Sequence, residues 1–236
     1  MFSRGLLTAA CLGLAALMAG GSDAAAAGAA EGEQRWRFRV LLDEREIGFH
    51  DYVVTRENNR ARVETVAQFD VRILFINAYR YRHRNVELWE DGCLSSIQAE
   101  TDDNGDRLQV AGAPSDSGFR VGSASGEATL SSSCVQTFAY WNPDVLGATQ
   151  LLNSQTGEWV DVAIEEVGSD NVRYGALDIP ARRVRIAMPA GRIDLWYERE
   201  SGRWLALESP TEGGRLLRYE PVELPRAIPE PRLTLN

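Results

Sequence analysis

The sequence contains no lysine; all 25 basic residues are arginine. Against 34 acidic residues this leaves a formal net charge of −9, so the chain has no general attraction for nucleic acid or anionic headgroups, and no nucleic-acid partner is expected. There is no nucleophile elbow, phosphate loop or dinucleotide fingerprint. Only two histidines are present, so a Ser-His-Asp arrangement would have to take its base from His50 or His83. A zinc site would have to draw on Cys93, Cys134, His50 and His83, and no two of these are spaced as a pair on one turn. No metal and no cofactor is expected. Asp102 to Asp106 has the look of a calcium loop but lacks its downstream bidentate Glu, and Asp103-Asn104-Gly105 reads as a hairpin turn.

Beyond the N-terminus no apolar run approaches the roughly 20 residues of a membrane-spanning helix, so no transmembrane segment is expected. The N-terminus itself reads as a signal peptide over residues 1–27. Arg4 supplies the positive start, Leu6 to Met18 the apolar core, and Ala24 to Ala27 small residues for cleavage. Its removal takes away one Arg and one Asp and leaves the net charge unchanged. The location implied is periplasmic or secreted. Cys11 falls inside the apolar core, with too little sequence before it for a lipoprotein signal. Residues 28–34 read as a flexible N-terminus. The mature chain then carries Cys93 and Cys134, which an oxidising compartment can pair; two buried free thiols are the other reading.

From residue 35 onward, period two dominates the chain. Trp36, Phe38 and Val40 alternate with Arg35, Arg37 and Arg39, and Ala61, Val63 and Thr65 with Arg60, Arg62 and Glu64, the pattern of strands with one buried face. Residues 60–89 read as two long strands with a bend near Ile76-Asn77, closed by Val86, Leu88 and Trp89. Strands continue over 94–101 and 108–111, weakly near 119–121 and 128–130, and then over 159–167, 172–177, 182–188, 193–198, 204–208 and 216–220. Gly168, Gly191, Gly202 and Gly214 punctuate the later ones. One segment breaks the period. Asn142, Pro143 and Asp144 have the chemistry of a helix start, and Val145, Leu146, Thr149 and Leu152 recur at helical spacing, so a three-turn helix is expected over 142–153. The fold expected is mostly β: a strongly curved antiparallel sheet or open barrel wrapping one short helix, as a single domain over 35–220, with a Pro-rich extended tail at 221–236.

Two side-chain groupings stand out. Arg80, Arg82 and Arg84 share one strand face, which reads either as an anion stripe or as a solvated face with acidic partners such as Glu87 or Glu100. Phe138, Tyr140 and Trp141 lead into the expected helix, while Trp89 and Trp196 lie in strands. These aromatics are either packed core or the wall of a ligand cavity.

Val86 to Leu94 (VELWEDGCL), Thr101 to Gly105, Thr137 to Asn142 with Leu151-Leu152-Asn153, Thr156-Gly157, and Leu195-Trp196-Tyr197 before Gly202-Arg203-Trp204 occur in that order. Together they resemble the exported bacterial family of unknown function DUF6134, itself similar to the DUF3108 group, over roughly residues 35–220. Cys93 stands where that family carries Arg or another polar residue, so the resemblance does not imply the disulfide. It does imply an architecture like that of periplasmic lipoprotein carriers, whose curved sheet wraps a helix and shelters acyl chains.

The leading expectation is therefore a non-enzymatic periplasmic protein that binds or carries a lipid or other apolar small molecule between sheet and helix. Its walls would come from Trp89, Phe138, Tyr140, Trp141, Leu146 and Trp196. The alternatives are an envelope hydrolase using His50 or His83 with Asp51 or Glu87, and an envelope assembly or scaffold protein making contact through its tail.

Overall fold

The computed structural model describes residues 32–73, 76–211 and 213–226. The expected signal peptide and most of the Pro-rich tail lie outside the described residues. Eight consecutive antiparallel strands open the chain: β1 (Gly32–Leu42), β2 (Arg45–Glu57), β3 (Arg60–Ile73), β4 (Ile76–Glu90), β5 (Cys93–Asp103), β6 (Asp106–Ser115), β7 (Gly118–Ser123) and β8 (Gly126–Leu130). An irregular segment with one 3-10 turn, Pro143–Gly147, leads to a small hairpin of β9 (Gln150–Leu152) and β10 (Trp159–Asp161). Five more strands complete the chain: β11 (Ala163–Tyr174), β12 (Leu177–Met188), β13 (Gly191–Glu198), β14 (Trp204–Pro210) and β15 (Leu216–Glu223). All but β9 and β10 join one antiparallel sheet in the order β11-β12-β13-β14-β15-β1-β2-β3-β4-β5-β6-β7-β8. The last strand pairs with the first, so the first eight strands and the last five form one continuous surface. β11 and β8 remain as edges, and the sheet is not closed into a barrel.

The sheet must nevertheless curl. Val135 O accepts from Leu94 N on β5 at 2.9 Å, and Tyr140 O accepts from the Tyr197 hydroxyl on β13 at 3.1 Å. β5 and β13 are seven strand spacings apart in the sheet order, about 33 Å if it were flat. Five residues of extended chain reach only about 18 Å. The segment from 135 to 152 can touch both strands only if the sheet wraps around it, and Val135, Ala139, Tyr140, Trp141, Val145, Leu151 and Leu152 do pack into the main core inside that wrap.

The expected alternation is present on β1, where Trp36, Phe38 and Val40 are buried and Arg35, Arg37 and Arg39 exposed. Beneath β1 an aromatic group fills the core. Phe38 meets Trp204 at 4.4 Å, and Trp204 in turn meets Tyr52 and Tyr140 at 5.2 and 5.3 Å. Gly48 is required by a close approach: it has φ +154°, and a Cβ there would lie 1.8 Å from Gln68 O on β3. Opposite it, the β1–β2 register shifts between Val40 and Leu41.

Cys93, opening β5, and Cys134, just before the inner segment, form a disulfide with a Cα–Cα distance of 5.0 Å. The covalent link is flanked by the Leu94–Val135 backbone bond and by Gln136 Nε2 donating to Gly92 O at 2.7 Å.

Several expectations change. The three-turn helix over 142–153 is a single 3-10 turn followed by strand β9. Asn142 does cap it, accepting from Asp144 N at 3.2 Å. But Gly147 weakens a helix too short to stand alone, and Leu151 and Leu152, both fully buried, bond instead across to Val160 and Trp159. Gly168 does not end a strand. β11 runs through it with a register shift, and the turn falls at Gly175-Ala176. Residues 32–34, expected to be flexible, belong to β1, and β15 extends through Glu223. Pro225 O accepts from Arg203.

Candidate functional site

Alternation along β4 carries side chains inward at 81, 83, 85, 87 and 89. The residues there are Tyr81, His83, Asn85, Glu87 and Trp89, while Val86 faces out and Leu88 is 40% exposed. Polar residues thus occupy the inner face where hydrophobicity alone would have placed Val86 and Leu88. Pairing extends this polar patch sideways. Tyr52, Thr65 and Asn85 stand opposite one another across β2, β3 and β4. In the next row His50, Ala67, His83 and Thr101 do the same, and Val54, Val63 and Glu87 form the row on the other side.

Above this patch lies a half-open cavity of about 270 Å³. His50, Tyr52, Thr65, His83, Asn85 and Glu87 form its floor, and Phe138, Ala139, Tyr140 and Trp141 of the inner segment form its opposite wall. Half-buried Asn153, Ser154, Gln155, Met188, Ile193 and Leu217 line it too and mark its open side. At the mouth the Tyr81 hydroxyl donates to Gln155 Oε1 at 3.1 Å.

Burial sets the protonation of the floor. It holds His83 near 4 and His50 well below the ordinary imidazole value, His50 also feeling His83. Both are therefore neutral at pH 7. Burial pushes Glu87 upward, against hydrogen bonds from Asn85, Trp89 and Thr137 that favour its ionised form. Asn85 Nδ2 and Trp89 Nε1 donate to its two oxygens at 2.9 and 3.0 Å, so this carboxyl ties the sheet to the inner segment through Thr137. The hydroxyls of Tyr52, Tyr81, Tyr140 and Tyr219 are raised by burial and stay protonated. His83 Nδ1 lies 2.9 Å from Thr101 Oγ1, and His50 Nδ1 lies 3.1 Å from the Tyr219 hydroxyl and 3.5 Å from that of Tyr52.

Of the six aromatic and aliphatic residues expected as walls, Phe138, Tyr140 and Trp141 line the cavity. Trp89 packs edge-on against Trp141 at 5.5 Å, in the core behind the wall. Leu146 sits in the 3-10 turn and packs on the core away from the cavity. Trp196 faces the opposite side of the sheet, because Leu195 and Tyr197 take the inward positions on β13. There it joins Val172, Ile179, Ala181 and Leu205 in a second cluster and donates Nε1–H to Asp170. The floor residues Asn85, Thr65 and Tyr52 are not among the residues that sequence reasoning singles out. For Asn85 the signal is polar residues at positions 85 and 87, two and four after His83, which hydrophobicity alone assigns to solvent; Thr65 reads as part of a buried strand face but not of a site.

The arginine stripe is a solvated face. Arg82 makes a two-pronged pair with Asp70 at 2.8 and 3.0 Å, and Arg80 lies 3.6 Å from Asp102. Glu87 cannot serve them, being buried on the other side. Asp51 likewise faces away from the cavity, paired with Arg37. Asp102 caps the β5–β6 turn, accepting from Gly105 N at 2.9 Å. Among the described residues no group of three or more His, Cys, Asp or Glu is placed to hold a metal ion, and no helix is long and apolar enough to cross a membrane.

No curated protein matches the sequence. Among solved structures, the crystal structure of a β-barrel-like protein of domain of unknown function DUF1849 from Brucella abortus is similar, with a TM-score of 0.61 and 14% identity, covering 82% of this chain and 97% of that chain. At that identity the likeness is one of fold. The ordered motifs along the chain and the profile match over residues 38–222 agree: the chain belongs to the family described as Domain of unknown function (DUF6134).

Proposed function

We propose that this protein is an exported, non-enzymatic binding protein that holds a small molecule between the curved sheet and the 135–152 segment. The observation that carries this reading is the cavity itself: a concave, mostly pre-formed space with aromatic walls and a few convergent polar groups, the usual composition of a ligand site. Its polar floor supports the reading further, since burying side-chain polar groups costs stability unless something is gained by them. The disulfide, of a kind that persists outside reducing compartments, and the leader-like residues 1–27 support export.

The cavity's size narrows the cargo. An engineered dry cavity of about 150 Å³ accepts benzene, and this one is less than twice that. It suits a molecule of about a dozen heavy atoms, or one end of a longer one, rather than the paired acyl chains expected by analogy with lipoprotein carriers.

The test is mass spectrometry of the protein purified from the periplasm, first native and then after organic extraction. A stoichiometric small molecule is expected, and Ser154→Trp, which puts a bulky ring at the half-buried mouth, should lose it while keeping the Tm of the wild type stripped of its ligand. An empty wild type that also fails to take up any small aromatic probe would refute the reading.

A hydrolase remains as a second reading because His50, His83 and Glu87 line the same cavity. The hydrogen bonds of both histidines run to tyrosine and threonine hydroxyls, and Glu87 is bonded to Asn85, Trp89 and Thr137, so no nucleophile–base–acid relay is assembled among the described residues. Esterase and glycosidase activity that disappears in His50→Ala or His83→Ala, with the fold intact, would restore it.

A further inference from the structure

Glu87 is 3% exposed and lines the cavity, yet among the described residues no arginine pairs with its carboxylate. Its partners are the neutral donors Asn85, Trp89 and Thr137, the first two at 2.9 and 3.0 Å. These donors favour the ionised form, and burial opposes it. An ionised carboxylate has about four acceptor positions, so three donors leave one open. Buried charges in proteins are ordinarily paired, and here no side chain supplies the cation. No arginine lines the cavity, and burial keeps both of its histidines neutral.

The walls have the matching chemistry. Tyr52, Tyr81, Phe138, Tyr140 and Trp141 bring their rings to the same space. Phe138 and Tyr140 meet at 6.4 Å with planes 68° apart, so they form a corner rather than a flat wall. Thr137, which bonds Glu87, precedes Phe138 in the chain, so the carboxylate and this corner are neighbours. Ring faces attract cations, and cages of them are a known way of holding substituted ammonium groups. Arg56 lies over Trp141 at 4.7 Å, but it does not line the cavity and feels the Asp144 carboxylate instead.

Resting on the binding reading, we infer that the ligand is a small organic cation, its ammonium group seated between Glu87 and the Phe138–Tyr140 corner and its apolar body filling the rest of the cavity. An anion would meet Glu87 with no basic side chain to offset it, and a neutral molecule would leave the buried carboxylate without a counter-ion.

The experiment uses the full mature chain and two probes of the same size and shape: the trimethylphenylammonium cation and uncharged tert-butylbenzene. Both are titrated by calorimetry at physiological ionic strength, where the general negative charge of the chain is largely screened. The cation should bind about tenfold tighter than the hydrocarbon. Glu87→Gln keeps the shape of the side chain and should remove most of that preference, while Glu100→Gln, at an exposed carboxylate on β5, should leave it unchanged. If Glu87→Gln does not fold, Phe138→Leu takes away one ring face without touching the hydrogen bonds of Glu87, and it should lower the preference several-fold. A hydrocarbon that binds as tightly as the cation would overturn the inference and leave the cavity reading standing. So would a cation preference that survives intact in the folded variants at Glu87 and Phe138. If neither probe binds but extraction returns a molecule, an amine or ammonium compound supports the inference and a compound without one overturns it. No probe bound and nothing extracted would take the binding reading down, and the inference with it.

Discussion

Breaking the Cys93–Cys134 disulfide tests how the inner segment is held. The bond joins residues 41 apart. In the chain-entropy description, opening a loop of that length returns freedom to the unfolded chain worth about 4 kcal/mol. The folded side should change little, because the Leu94–Val135 backbone bond at 2.9 Å and the Gln136–Gly92 bond at 2.7 Å hold the same junction without the sulfurs. For a chain of this size each kcal/mol moves Tm by about 2–4 °C, so reduction should lower Tm by about 8–16 °C. Cys134 is exposed, so a reductant can reach the bond. The assay is thermal and urea unfolding of wild type with and without reductant, beside the Cys93→Ser/Cys134→Ser double variant, which should match the reduced protein and ignore the reductant. The urea slope should also rise, since an unlinked unfolded chain exposes more surface. A Tm change under about 2 °C, or a double variant as stable as the oxidised protein, would refute the loop-closure reasoning.

Single contacts elsewhere carry their own expected outcomes. Gly48→Ala forces a Cβ into Gln68 O at a positive φ; it should cost about 3 kcal/mol or more in urea melts, where an ordinary strand Gly→Ala is neutral or better. His83 titrates near 4 when folded against about 6.5 when unfolded. The unfolded chain therefore gains a proton first as pH falls, so stability is full above about 6.5 and drops by about 3 kcal/mol on the way to pH 4. His83→Gln should remove that share of the drop, as compared by urea melts at pH 7 and 4. Trp141→Ala deletes the wall ring that meets Trp89 at 5.5 Å and carries the Arg56 guanidinium at 4.7 Å; thermal melts should show a loss of about 3–5 kcal/mol. Asp70→Ala, which unpairs the half-exposed Arg82, should cost less than about 1 kcal/mol in the same melts.

The strands were legible because each needs only a period of two and a turn to end it. Trp36, Phe38 and Val40 against three arginines identify β1 unaided, and Asp103-Asn104-Gly105 identifies the β5–β6 hairpin. The order of strands in the sheet was not legible. That β15 closes onto β1 from the far end of the domain depends on partners such as Val40 and Tyr219, and pairing of that range leaves no local trace. The 142–153 segment misled for a related reason: its helical spacing was real, but Leu151 and Leu152 found a strand partner in β10 and full burial, and tertiary contacts outweigh a short helix's weak propensity.

The same division runs through the site. Composition and short-range periodicity were enough to specify a mostly β chain with a leader-like start, two cysteines free to pair and a run of aromatics before residue 142. They could not say that Phe138, Tyr140 and Trp141 wall a cavity while Trp196 sits on the far face, since one residue of register or one bulge reverses a strand's sides. Packing of the whole sheet turned Asn85 and Glu87 inward and Leu88 outward, against their hydrophobicity. The strand had to follow the alternation set by Tyr81, His83 and Trp89, and the cost of burying polar groups there is offset by the hydrogen bonds they share.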